Sequence, residues 1–168
     1  CVFLTNSDVQ INQNFACDKK ALMFIRGSLS INPPLKNSQS GDIFSASNGC
    51  IFVVSGDVNI LPGSNASSGS SFGYDKVNGY MFTDGQFIIK DEEDKRPGDP
   101  IIDGVYVNGG LQSSKRNSKG VVLKRYLRLE DRLKYPLLAI DLHPKYGLIG
   151  EAFFGKEYIL QVVEMGIK

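Results

Sequence analysis

The chain alternates short apolar runs with polar stretches, and one ten-residue pattern of apolar and polar positions occurs five times. Each copy begins with mostly apolar residues, reaches glycine (serine in the first copy) at its sixth position, and then alternates apolar with polar residues. The copies occupy residues 2–11, 22–31, 51–60, 80–89 and 104–113. A pattern that recurs at intervals of roughly 20–30 residues indicates a repeat architecture. The insertions fall between the copies and never inside them.

Each position of the pattern predicts a structural role. Glycine at the sixth position predicts a corner, where the backbone bends or adopts a positive φ. The predicted corners are Gly27, Gly56, Gly85 and Gly109. The alternating positions after the corner predict a half-buried strand whose apolar residues stack as a core ladder. The ladder residues are Val9, Leu29, Val58, Phe87 and Leu111 at the eighth position, and Ile11, Ile31, Ile60 and Ile89 at the tenth.

The residues before the corner are apolar at nearly every position, which predicts a strand covered on both faces. Strand, corner and strand, repeated with connections of variable length, are typical of a stacked solenoid. The predicted fold class is therefore all-β: a single-stranded parallel β-helix of about five to six coils, with a C-terminal tail packing along the outside. An antiparallel sandwich is the alternative. It is less favoured because a sandwich gives no reason for one strand pattern to recur in the same internal register.

The predicted organisation is one structural domain. Residues 1–120 form the coils, and residues 121–168 form a degenerate coil followed by the covering segment. Pro136 and Pro144 argue against a continuous helix in this tail. Its expected role is to cover the outer side of the strands that precede the corners.

Composition and charge exclude several classes of partner. The 168 residues have a net charge of +1 and a sequence pI near 7.8, so nothing predicts binding to nucleic acid or to an anionic membrane. No apolar run is long enough to span a bilayer, and no direct membrane insertion is expected in these residues. Phosphate-loop and dinucleotide-binding motifs are absent from the sequence. No cofactor is therefore expected.

The three cysteines occupy informative positions. Cys1 and Cys50 both precede a copy of the pattern, two coils apart, so a distance of roughly 9–10 Å would separate them. That distance is too long for a disulfide. We therefore predict a Cys17–Cys50 bridge and an oxidising, extracytoplasmic compartment. The alternatives are three buried thiols, and a lipid-modified Cys1. No metal site is predicted, because the sequence has no C-x-x-C pair and a single histidine.

The insertions are expected to be surface loops. Residues 61–73 are rich in serine and glycine and contain Asn65 in an N-glycosylation acceptor pattern, which is a candidate glycosylation site in a secretory setting. Residues 90–100 carry acids without the spacing of a calcium loop, together with neutralising Lys and Arg. Residues 113–120 are basic but lack aromatic residues on which bases could stack.

The order of several motifs along the chain resembles that of a known type of protein. GDVNI is followed by VNGGL, KRYL, YPLLAIDLHPKY and finally VEMGIK. With its coils, this order resembles an uncharacterised, candidate-phylum type of bacterial surface-exposed protein with a short β-helix. The stacked coils are more loosely similar to bactofilins, in architecture only, since the coils here are longer and irregular. The resemblance implies an extracellular or cell-surface location and a structural or adhesive role.

Three functions are compatible with these features. The first is a non-enzymatic structural or assembly protein of a bacterial surface appendage or envelope layer, whose partners are further copies or other surface subunits. The second is an adhesin or carbohydrate-binding module that binds glycans through residues near Phe72, Tyr74 and Tyr80.

The third function is a polysaccharide-active enzyme, for which acids and bases must cluster on one exposed sheet. The outward candidates are Asp8, Arg26, Asp57 and Asp84. They fall into different positions of the pattern, and His143 has no partner nearby in sequence. The sequence therefore predicts no catalytic pair and no enzyme.

Overall fold

The computed structural model describes residues 1–12, 20–32, 49–62, 73–90, 103–114, 120–125, 133–144 and 146. These residues are all-β and form parallel strands in two sheets. The strands are β1 (Val2–Thr5), β2 (Val9–Ile11), β3 (Ala21–Ile25), β4 (Leu29–Ile31), β5 (Cys50–Val54), β6 (Val58–Ile60), β7 (Gly73–Thr83), β8 (Phe87–Ile89), β9 (Asp103–Ser113), β10 (Val121–Leu123) and β11 (Leu138–Asp141).

Consecutive strands alternate between the two sheets. The first sheet has the order β1-β3-β5-β7-β9-β11, and the second has the order β2-β4-β6-β8-β10. All described strand pairs are parallel. We call each successive strand pair, from β1 and β2 to β9 and β10, a unit, numbered 1 to 5. Each unit thus adds one strand to each sheet.

The register of the first four units follows the sequence pattern. In the first sheet, Val2 pairs with Leu22, Leu22 with Ile51, and Ile51 with Tyr80. In the second sheet, the eighth-position residues pair in one row: Val9, Leu29, Val58 and Phe87. Equivalent positions therefore lie beside each other along both sheets.

The predicted alignment of the fifth copy, residues 104–113, with the fourth is wrong: the observed pairing is shifted by six residues. Tyr80 pairs with Gly110 and not with Gly104. Gly109 is therefore not a corner: it lies inside β9, opposite Gly79. A shift by six residues preserves the alternation of faces along a strand, so periodicity could not reveal the error.

The same shift removes Leu111 from the predicted core ladder. Leu111 pairs with Met81 in the first sheet, whereas Val121 takes the place beside Phe87 in the second. Strand β10 therefore completes unit 5 and does not begin a sixth coil. The predicted boundary at residue 120 divides this unit.

The core lies between the two sheets. Second-sheet residues at the eighth and tenth positions point inward and are fully buried in units 2 to 4. They meet inward residues of the first sheet, such as Phe52, Val54 and Met81. Val9 and Ile11, in unit 1, are only partly buried, because their rows end there.

The bend glycines are required by close packing between units. Gly27, Gly56 and Gly85 lie between their unit's two strands, and none of them has a positive φ. A Cβ on Gly56 would lie 2.6 Å from the Ser28 Oγ and 2.8 Å from the Gly27 carbonyl oxygen. The prediction of a bend at these three positions thus agrees with the structure. Glycine is needed there because a side chain would clash with the preceding unit, and not because φ is positive.

Each missing Cβ would point toward the preceding unit. A Cβ on Gly27, for example, would lie 2.8 Å from the backbone nitrogen of Asp8 in unit 1. Ser7 occupies the same position in unit 1, which no described unit precedes. A side chain is therefore tolerated at Ser7.

The tail contributes a strand and a covering side chain. Strand β11 extends the first sheet by pairing Leu138 with Val105 and Asp141 with Asn108. Tyr146 packs on the face of the first sheet that points away from the core, where it joins Leu22, Ile51 and Tyr80. We call this the outer face. Leu142 also lies on this face, since a Cβ on Gly110 would lie 3.1 Å from its Cδ2. Residues 147–168 lie outside the described residues.

Candidate functional site

The first candidate surface is the edge formed by unit 1. Val2, Phe3 and Leu4 in β1 are 61%, 55% and 64% exposed. Phe3 lies in the inward row of Met23 and Phe52, so the core is open at this end. Strand β1 ends the first sheet and β2 ends the second. An apolar strand edge of this kind is a template for pairing with another strand.

The second candidate surface is a groove of about 570 Å³ on the outer face. Its floor is the third-position row of the pattern: Leu4, Phe24, Val53 and Phe82. Arg26, Ser55, Asp84 and Ser114 line one side. Ser114 Oγ donates a hydrogen bond of 2.7 Å to Asp84 Oδ1. The groove is thus apolar at its base and polar along one rim.

The third candidate surface lies on the N-terminal halves of β7 and β9 and on β11. Asp75, Val77, Val105 and Val107 are buried toward the core, so the alternate residues point outward. We call these outward residues the tyrosine platform: Tyr74, Lys76, Asn78, Tyr106, Asn108 and Asp141. Lys76 pairs in register with Tyr106, and Asn78 with Asn108.

Hydrogen bonds and ring contacts order the platform. Tyr106 Oη donates to Asp141 Oδ2 over 2.9 Å, and this hydrogen bond is the main reason that the pKa of Tyr106 is raised above its usual value. The Tyr74 and Tyr106 rings meet edge to face, with centroids 6.3 Å apart. Tyr74 Oη donates to the Pro136 carbonyl over 3.2 Å, and burial raises the pKa of Tyr74. The platform is therefore a fixed surface that still exposes polar groups.

The three residues predicted to contribute to a glycan-binding module do not lie together on one surface. Tyr74 lies in the platform. Tyr80 is buried beneath Tyr146, with ring centroids 6.2 Å apart, so it is not a surface contact. Phe72 lies outside the described residues.

Two of the acids considered for catalysis hold neighbouring units together. Asp8 Oδ1 accepts a hydrogen bond of 2.7 Å from the Ser28 backbone N–H, and Asp57 Oδ1 accepts one of 2.8 Å from that of Gln86. Each bond crosses from one unit to the next at the bend. Asp84 and Arg26 line the groove. His143 is exposed, and its carbonyl accepts the Tyr146 N–H over 3.1 Å.

Sequence reasoning missed a buried ion pair. Arg125 Nη1 lies 2.8 Å from Asp75 Oδ2, and both side chains are buried. Arg125 also donates to the carbonyls of Lys90 and Gly104, over 3.3 Å and 3.4 Å. Asp75 and Arg125 both fall on the apolar phase of an alternating segment, and that signal could have identified them.

The predicted disulfide and glycosylation site stay predictions. Cys1 is a free, exposed cysteine, and Cys50 is fully buried opposite Ala21. The register places Cys1 and Cys50 two strands apart, as expected, because Leu22 pairs with both Val2 and Ile51. Cys17 and Asn65 lie outside the described residues.

Comparisons with known proteins assign no family to the chain. Across the ranges that the structure describes, no helix is long and apolar enough to cross a membrane. The same ranges contain no group of three or more histidine, cysteine or acidic side chains placed to hold a metal ion. No protein-family model, curated protein or solved structure matches the chain.

Proposed function

We propose that the chain forms a short parallel β-helix. Strict alternation of consecutive strands between two parallel sheets supports this proposal, because each unit must then return to the first sheet before the next begins. The shared register of both sheets also supports it. On this basis, five units span on the order of 20–25 Å along the stacking direction.

We further propose that this β-helix is a non-enzymatic, extracytoplasmic structural protein that assembles into a bacterial surface appendage or envelope layer. The open apolar edge of unit 1 carries the proposal. Burying a large apolar side chain stabilises an association by about 1.5–3 kcal/mol, and Val2, Phe3 and Leu4 are all available. The location rests on the resemblance to surface proteins and on the predicted disulfide.

The partner proposed for this edge is unit 5 of a second copy. Strand β11 pairs with the part of β9 that ends at Asn108, so Gly110–Ser113 has no described strand on its far side. Val2, Phe3 and Leu4 would then continue the rows of Gly110, Leu111 and Gln112. In the second sheet, Val9 and Ile11 would continue the rows of Val121 and Leu123, and Leu123 is itself exposed.

Sedimentation velocity of the full chain over a range of concentrations tests the assembly. We expect the wild-type chain to associate and Leu4→Lys to remain monomeric, because the lysine places a charge in the proposed contact. Leu133→Lys is the matched control, since Leu133 is 83% exposed and lies outside both terminal units. A wild-type chain that stays monomeric at every concentration would refute the proposal.

Cysteine cross-linking tests the register of the contact. In a Cys1→Ser background, cysteines at Leu4 and Gln112 would lie one strand spacing apart, about 4.8 Å, between two copies. That spacing permits a disulfide, so oxidation should give a ladder of covalent oligomers. Cysteines at Leu4 and Val53 are the control, because within one chain they are two strands apart and no stacked copy brings them together. Association without the Leu4–Gln112 link would exclude this register.

A further inference from the structure

The tyrosine platform has features that the assembly proposal does not use. Its six residues face outward from three neighbouring strands, whereas the proposed contacts between copies lie on the terminal strand edges. From Tyr74 to Asn78 the platform extends about 13 Å along β7. This length suits a linear ligand that lies along the strands.

Two features of β9 determine how the platform's aromatic rings are arranged. A Cβ on Gly104 would lie 2.7 Å and 2.9 Å from carbons of the Tyr74 ring, so the ring lies over the glycine and against the sheet. Two positions further along, the Tyr106 ring meets the Tyr74 ring in an edge-to-face contact. Gly104 thus allows the Tyr74 ring to lie close to the sheet, next to the Tyr106 ring.

The polar groups of the platform can both donate and accept hydrogen bonds. The Asn78 and Asn108 amides occupy one row, with Asp141 next to Asn108. The Asn108 Oδ1 atom is buried, so it is not a contact for a ligand. Lys76 is exposed and donates, whereas the Asp141 carboxylate accepts. The single positive and single negative charge offset each other, so the platform does not favour a strongly charged ligand.

We propose that the tyrosine platform binds a neutral polysaccharide chain. The C–H faces of sugar rings are apolar and pack on aromatic rings, as other amphipathic ligands do on tyrosine. Sugar hydroxyls donate and accept, which matches the Asn78 amide and the Asp141 carboxylate. An acidic polysaccharide would require a cluster of cations, and Lys76 is the one cationic side chain among the six platform residues. Tyr106 and Asp141 are the central contacts.

Isothermal titration calorimetry with cellohexaose, maltohexaose and chitohexaose tests the proposal, with hexagalacturonate as the acidic probe. We expect at least one neutral hexasaccharide to bind the full wild-type chain and Tyr106→Ala to weaken its affinity by about tenfold or more. Tyr106→Phe keeps the ring but loses the bond to Asp141, so a smaller loss is expected. Gly104→Ala should also weaken binding, because its Cβ displaces the Tyr74 ring.

Arg26→Ala is the matched control, because Arg26 is exposed at the bend that follows β3 and lies outside the platform. Its affinity should equal that of the wild-type chain, and thermal unfolding should show that every variant is folded. Leu4→Lys should retain sugar binding, which separates this proposal from the assembly. Failure of all three neutral probes to bind, binding of hexagalacturonate alone, or equal affinity in Tyr106→Ala and Arg26→Ala would overturn the proposal.

Discussion

At the residue scale, contacts between units explain most of the unusual positions. The bend is so closely packed that a single methyl group at Gly27 or Gly56 would meet the backbone of the preceding unit. The Asp8 and Asp57 carboxylates use the same proximity to accept backbone N–H groups from the following unit. Asp8 and Asp57 are therefore part of the contact between units and not free surface groups.

The steric role of the bend predicts that Gly56→Ala is destabilising. The new methyl group would lie 2.6 Å from Ser28 Oγ and 2.8 Å from the Gly27 carbonyl oxygen, and overpacking of this kind costs about 1–3 kcal/mol. Gly120→Ala is the control, because its Cβ would meet Ser113 at an ordinary 3.4 Å. Urea unfolding measures both changes, and equal stability of the two variants would contradict the explanation.

Arg125 is predicted to be essential because of what its removal leaves behind. Arg125→Ala would leave the Asp75 carboxylate buried without its ion-pair partner, and breaking a buried pair on one side costs about 3–5 kcal/mol. The double variant Asp75→Leu, Arg125→Met should recover much of this loss, because it removes both charges. Urea unfolding of the single and double variants measures the difference. A cost below about 1 kcal/mol for Arg125→Ala would show that the pair is not important for stability.

At the scale of elements, the sequence could predict the strands of the first four units because two signals coincide there. The alternation sets the buried face, and the glycine marks the bend. In β9 the two signals disagree: Gly109 has the sequence position of a bend but lies inside a long strand, which ends at Ser113, and β10 begins at Val121. A six-residue shift leaves the alternation intact, so only the pairing between strands could decide the register.

The candidate surfaces were harder to predict than the strands. The sequence predicts Tyr74 as a candidate for glycan binding, but its neighbours Tyr106 and Asp141 are 32 and 67 residues further along the chain. Their proximity depends on the pairing of β9 with β7 and β11. The Asp75–Arg125 pair depends on β10 belonging to unit 5. Both features follow from the register that the pattern did not determine.

The segment around Tyr146 is predicted to loosen at high pH. Burial raises the pKa of Tyr146 to about 12, above the ordinary value of 10.0, so the folded state holds the phenolic proton more tightly than the unfolded state does. The resulting stabilisation is complete below pH 10 and is lost as the pH rises toward 12. Tyr146→Phe should therefore lose less stability than the wild-type chain over this interval.

Urea unfolding at a series of pH values measures this difference, with phenolate absorbance to follow the titration. At neutral pH, Tyr146→Phe should lie within about 1.5 kcal/mol of the wild-type chain, the usual contribution of one hydrogen bond. Parallel stability curves for the two proteins above pH 10 would contradict the assignment.

At the scale of the whole molecule, the predicted disulfide links the chain to its compartment. We expect non-reducing peptide mapping to recover Cys17 joined to Cys50 and Cys1 as a free thiol that reacts with maleimide. Reduction should cost about 3–4 kcal/mol, the stabilisation typical of a loop of a few dozen residues. Alkylation of both Cys17 and Cys50 in the unfolded, unreduced protein would exclude the bridge and with it the main argument for an oxidising compartment.

Ser7 has a mechanical consequence for any filament built from this chain. Inside one chain, the glycine bends let neighbouring units approach closely, but a copy added in front of unit 1 would meet the Ser7 side chain at that corner. In the proposed assembly, we therefore expect the joint between copies to be wider on the side of Ser7 than the contacts within a copy. A filament of such stacks would bend preferentially at regular intervals of about five strand spacings, or roughly 24 Å, and would be stiff between these joints.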